Sequence, residues 1–132
     1  MGNEAKTHKY LKIWKAAMQL AKAVYEVTAK FPPAELFGLR AQMRRAAVSV
    51  PSNLAEGSAR ASKRELIYFA YVALGSLSEL ETQWLLAKES KMTSIIPEDS
   101  IVPVRKMLLD LIRSLKSHSV PVSHHASPIA HH

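Results

Sequence analysis

From Tyr10 to Lys30 the side chains Tyr10, Trp14, Ala17, Met18, Ala21, Val24, Tyr25 and Thr28 return every three or four positions, as one face of a helix requires. A first helix is therefore predicted over about residues 9–31, ended by Phe31-Pro32-Pro33, because a proline ring cannot continue the hydrogen-bond ladder and restricts its predecessor. A second is predicted over about 37–59, with Leu39, Met43, Ala46, Ala47, Val50 and Leu54 on its stripe. Pro51 falls inside this pattern, where the missing donor and ring clash predict a bend near 47–50, with a break as the alternative. Gly57 and the stretch 58–61 turn the chain into Ser62-Lys63-Arg64-Glu65, a capping box that opens a third helix over 62–89. There Leu66, Ala70, Ala73, Leu77, Leu80, Trp84 and Ala87 alternate at four and three, the period of a bundle seam. Ala73, Gly75, Ser76 and Ser78 are small enough to admit a neighbouring backbone. A fourth helix, about 96–117, carries Val104, Leu108, Leu111 and Leu115; Pro97 suits its first turn, and Pro103 predicts a kink or a late start.

Four helices with short connections predict an all-α, antiparallel up-down-up-down four-helix bundle over residues 9–117. Residues 1–8 are expected to form a flexible N-terminus, and the aperiodic, His-rich tail at 118–132 to be disordered. The first and third helices carry second apolar stripes, Ile13, Leu20 and Val27 in one and Ile67, Tyr71 and Leu74 in the other. These fit either a subunit interface or a wide core face.

The 132 residues suffice for one domain, and the hydrophobic fraction of 48% supports a core. The absence of cysteine removes disulfides, thiolate metal sites and cysteine nucleophiles, and fits a reducing cytoplasm. No membrane-length apolar run or signal-peptide pattern occurs, so a soluble cytoplasmic protein is expected. Nucleotide-loop, zinc-spacing and nucleophile motifs are missing, and no histidine between Lys9 and Ser117 can supply a di-iron ligand set. His124-His125 and His131-His132 read as a solvated tail in preference to a metal site. The expectation is no enzyme, and no catalytic residue, metal or cofactor is assigned.

The net charge is +7 with an isoelectric point near 9.8, and it is polarised: Arg40, Arg44, Arg45, Arg60, Lys63 and Arg64 face one acid, Glu56, within residues 36–64. Guanidinium groups pair bidentately with phosphates, so these six are the candidate nucleic-acid contacts, in one or two patches about 30 Å apart along a helix. The bland alternative is a solvated face. Gln42, Arg45, Ser49, Asn53 and Glu56 share a second face of the same helix, either as a recognition surface or, preferably, as a structural polar network with Glu79, Glu81 or Gln83 of the third helix.

The run Phe31-Pro32, Glu35, Gly38-Leu39, Gln42-Met43-Arg44-Arg45-Ala46-Ala47 and Ser49-Val50-Pro51-Ser52-Asn53-Leu54-Ala55-Glu56-Gly57 resembles the signature of the bacterial four helix bundle protein family. Glu65, Phe69, Gly75-Ser76-Leu77, Glu79-Leu80-Glu81 and Lys106-Met107-Leu108 extend the resemblance over roughly residues 10–117. That family includes proteins encoded in intervening sequences of large-subunit ribosomal RNA genes, hence a ribosomal-protein label, and is similar to the accessory protein of diversity-generating retroelements. The resemblance implies a helix that continues through Pro51 and a homo-oligomer, a pentameric barrel of bundles. It also implies RNA, DNA or a reverse transcriptase as candidate partners. The expected function is thus a non-catalytic oligomeric accessory protein binding nucleic acid non-specifically; the alternative is a protein scaffold without a nucleic-acid role.

Overall fold

The computed structural model describes residues 2–35 and 38–117. Four helices appear: α1 (Gly2–Thr28), α2 (Leu39–Ser58), α3 (Lys63–Glu89) and α4 (Glu98–Ser117), with a short 3-10 turn at Pro33–Glu35 after α1. Packing runs α1 on α2, α2 on α3, α3 on α4 and α4 on α1, which closes the four-helix bundle. The His-rich tail lies outside the described residues, as does Phe37.

The expected boundaries hold to within a few residues except at the chain start, where α1 begins at Gly2, ahead of the expected start at about residue 9. Its residues Asn3-Glu4-Ala5-Lys6 include good helix formers and no proline, so nothing interrupts propagation from the packed part of the helix. Pro51 sits fully within α2 and is buried, so the helix continues and does not break. Pro103 likewise lies inside α4, which starts at Glu98; a late start at Pro103 is therefore excluded. Pro97 precedes the helix instead of opening it, its carbonyl accepting from Ser100 N at 3.0 Å and Ile101 N at 2.9 Å.

The serine half of the expected capping box forms at α3. Ser62 Oγ accepts from Glu65 N at 3.1 Å and donates to Glu65 Oε1 at 3.2 Å, so the serine serves one of the orphan amides of the helix start. At the other end of α3, Met92 N reaches back to Ala87 O at 2.9 Å and Lys91 takes φ 64, a Schellman closure with lysine in the left-handed position.

Burial corrects the reading of α1. Ile13, Leu20 and Val27, assigned to a second stripe, are 2%, 3% and 8% exposed, whereas Met18 and Tyr25 of the first stripe are 44% and 43% exposed. The apolar arc of α1 is wider than a helix can bury, and contacts with α2 and α4 choose which part turns inward. In α3 the expected seam from Ala70 to Ala87 is buried throughout, around a fully enclosed Trp84 whose Nε1 donates to Ile95 O at 2.9 Å. Each such large apolar side chain removed from water contributes roughly 1.5–3 kcal/mol. Ile67 and Leu74 of its second stripe pack partly against the core, and Tyr71 stays 44% exposed.

Candidate nucleic-acid interface

The six basic residues marked by the sequence divide between the two ends of α2, and most are engaged locally. Arg40 Nη2 donates to Phe31 O at 2.9 Å and Pro32 O at 3.5 Å. Arg44 Nε donates to Thr28 Oγ1 at 2.8 Å, its Nη2 to Tyr25 O at 3.2 Å, and its guanidinium lies 4.3 Å over the Tyr25 ring. Both arginines thus hold oxygens in and just beyond the last turn of α1, where the helix dipole is negative. They tie α1 to α2 and commit guanidinium N–H donors to oxygens of the protein itself.

At the other end Arg60 pairs with Glu56, lies 3.9 Å from Glu65 and stacks 5.1 Å over Phe69. With Lys63 and Arg64 that end sets three positive groups against two negative ones, so its field is weak. Arg64 and Arg45 are exposed and without a partner among the described residues. Lys63 is half-buried in the first turn of α3.

The polar row of α2 forms a smaller network than its spacing predicts. Ser49 Oγ and Ser76 Oγ share a hydrogen bond of 2.7 Å across α2 and α3, and Asn53 Nδ2 donates to Ser49 O at 2.8 Å and Ser49 Oγ at 2.9 Å. Gln42 is exposed, Glu56 is turned to Arg60, and Glu79 accepts from Gln83 Nε2 at 3.4 Å within its own helix. The longer acids and amide prefer water or a cation to a contact that two small hydroxyls make at close approach. The bridge that does join helices through Glu81 runs to Arg105 of α4, at 2.6 Å.

A second basic surface escaped the count over residues 36–64. Between residues 9 and 30 the chain holds five lysines against one acid, Glu26. Lys9, Lys12, Lys15 and Lys22 are all exposed and unpartnered among the described residues, with Lys12, Lys15 and Lys22 on the outward stripe of α1. Their three- and seven-residue spacing was the available signal; it was hidden because an amphipathic helix normally carries a charged face.

Apolar side chains are also exposed on two sides. On α1, Leu11, Met18 and Tyr25 repeat at seven residues, and Val48 lies one turn from Arg44, which covers Tyr25; the first three are 46%, 44% and 43% exposed. On the α3–α4 side, Leu85 lies one turn beyond Glu81, and Val102 and Leu109 flank Arg105, with exposures of 40%, 50% and 41%. No helix among the described residues is long and apolar enough to cross a membrane, and no group of three metal-ligating residues occurs among them.

None of the curated proteins matches this chain. A family model does: residues 9–117, which span all four helices, match that of the 23S rRNA-intervening sequence protein, and the chain belongs to this family.

Proposed function

We propose that this chain is a non-catalytic, cytoplasmic homo-oligomeric accessory protein that binds RNA through phosphate contacts without reading sequence. The observation that carries this reading is the set of exposed cations without a partner among the described residues: Lys9, Lys12, Lys15 and Lys22 along α1, with Arg45 and Arg64 from the sequence-marked cluster. Cations with no carboxylate to neutralise them are free to displace the counterions of a polyanion, whereas Arg40, Arg44 and Arg60 act within the protein. The family's name points to RNA as the nucleic acid.

Self-association is supported by the two apolar sides. They carry different residues, so a second copy would join the α1–α2 side of one subunit to the α3–α4 side of the next, a head-to-tail contact that closes into a ring when the rotation between subunits divides a full turn. The pentamer implied by the family resemblance is one such ring.

Binding of structured RNA, single strands and duplex DNA across a salt series tests the reading. Affinity should fall steeply with salt, and K12Q/K15Q/K22Q should lower the slope of log K against log salt by roughly 2. Absence of binding at low salt would remove the nucleic-acid reading and leave the protein scaffold.

A further inference from the structure

The end of the bundle where α1 and α3 finish holds an open cleft of about 1240 Å³, lined by Val27 of α1, Lys30 just beyond it, Lys88 of α3, and Lys91, Met92 and Ile95 of the connection to α4. Three lysines line it against one carboxylate, Glu26, and none of the three forms an ion pair among the described residues. The first-turn acids of α4, Glu98 and Asp99, do not line it.

A structural account covers part of this. Lys30 and Lys88 stand at the ends of two helices, where a cation offsets the dipole. Lys91 does not fit that account as well. Its φ of 64 is the left-handed conformation that closes α3, a position where glycine is the residue of least strain and a side chain costs roughly 1–2 kcal/mol. The chain nevertheless places a long cationic side chain there, beside two more. The connection is also held firmly: the buried Trp84 donates to Ile95 O, so the wall is preorganised. Met92 and the 51% exposed Ile95 give that wall apolar surface next to the cations.

An apolar wall beside clustered ammonium groups matches a flat heterocycle that bears a phosphate. We propose that this cleft binds a nucleoside phosphate, its base against Met92 and Ile95 and its phosphate on Lys30, Lys88 and Lys91. The ligand is either a free nucleotide or one residue of a single RNA strand. The second source rests on the RNA-binding reading above; the first does not.

The test uses the full chain, with AMP in calorimetry and a short fluorescein-labelled oligoadenylate in polarisation. Binding of AMP assigns a free-nucleotide site, and binding of the oligonucleotide alone assigns a strand site. In either case K30Q/K88Q/K91Q should weaken the bound probe by at least roughly tenfold. Lys91→Gly separates ligand binding from stability: it should weaken the probe while Tm holds or rises, because the left-handed position is relieved. Wild-type binding by both variants, or no binding of either probe by the wild-type chain at low salt, would overturn the proposal. Loss of structured RNA in K12Q/K15Q/K22Q with AMP binding intact upholds the cleft independently, and K30Q/K88Q/K91Q that binds both small probes normally rejects the cleft even where long RNA still binds.

Discussion

At the residue scale, two glycines make opposite demands. A Cβ on Gly57 would lie 2.9 Å from Phe69 Cβ and 2.9 Å from the Tyr10 hydroxyl, both closer than packed carbon or oxygen allows, and the first belongs to a part of Phe69 that cannot swing away. Gly57→Ala should therefore destabilise by about 1–2 kcal/mol, the overpacking cost outweighing the roughly 1 kcal/mol that alanine gains in a helix. Gly75 meets nothing within 4 Å, so Gly75→Ala should stabilise by up to about 1 kcal/mol. Urea midpoints of the two variants decide both, and a stabilising Gly57→Ala would refute the close approach. The Tyr10 hydroxyl packed against Gly57 is buried without a hydrogen-bond partner among the described residues, and burial pushes its pKa up to about 12 from 10. The folded state thus favours the protonated phenol. Its contribution is complete below pH 10, where both states keep the proton, and is lost as pH rises towards 12 because the unfolded chain ionises first. Tyr10→Phe should flatten that alkaline decline, as read from thermal unfolding on either side of pH 10, and should cost little at neutral pH because the hydroxyl has no partner to lose.

At the element scale, the join between α1 and α2 depends on arginines that looked like ligand contacts. Arg44→Ala removes two hydrogen bonds and a cation–π contact at the end of α1, and leaves the buried Thr28 hydroxyl without the donor it accepts. A loss of about 1–3 kcal/mol is expected. Arg45→Ala, one residue on, should change stability by less than about 0.5 kcal/mol and weaken RNA binding instead. Calorimetric unfolding with parallel binding measurements checks the pair; equal Tm losses would mean that neighbouring arginines share one structural role.

At the scale of the whole molecule, the two apolar sides give a test of assembly geometry. Met18→Glu blocks the α1–α2 side and Leu109→Glu the α3–α4 side, with both residues exposed so that neither change reaches the core. In a head-to-tail ring each variant alone should be monomeric, and an equimolar mixture should form dimers, since each partner keeps the side the other has lost. Sedimentation equilibrium reads the masses. A symmetric contact through one side would leave one of the variants assembled as the wild-type chain is.

Periodicity and punctuation alone determined the number, order and approximate ends of the helices. The seam of α3, the serine cap at Ser62 and the proline pair shortly after the end of α1 are local patterns whose physics acts within a few residues. Continuation through Pro51 was the local expectation, a bend with a break as the alternative, and the family resemblance pointed the same way. Tertiary structure decided which part of a wide apolar arc turned inward, so Ile13, Leu20 and Val27 replaced Met18 and Tyr25 in the core. It also decided which cations had donors to spare. Spacing places Arg40 and Arg44 on one face of α2 and Arg45 on the next, but whether a guanidinium meets solvent, as Arg45 does, or a neighbouring helix end, as Arg40 and Arg44 do, depends on where α1 stops in space. That is a relation between residues distant along the chain, and no local pattern contains it.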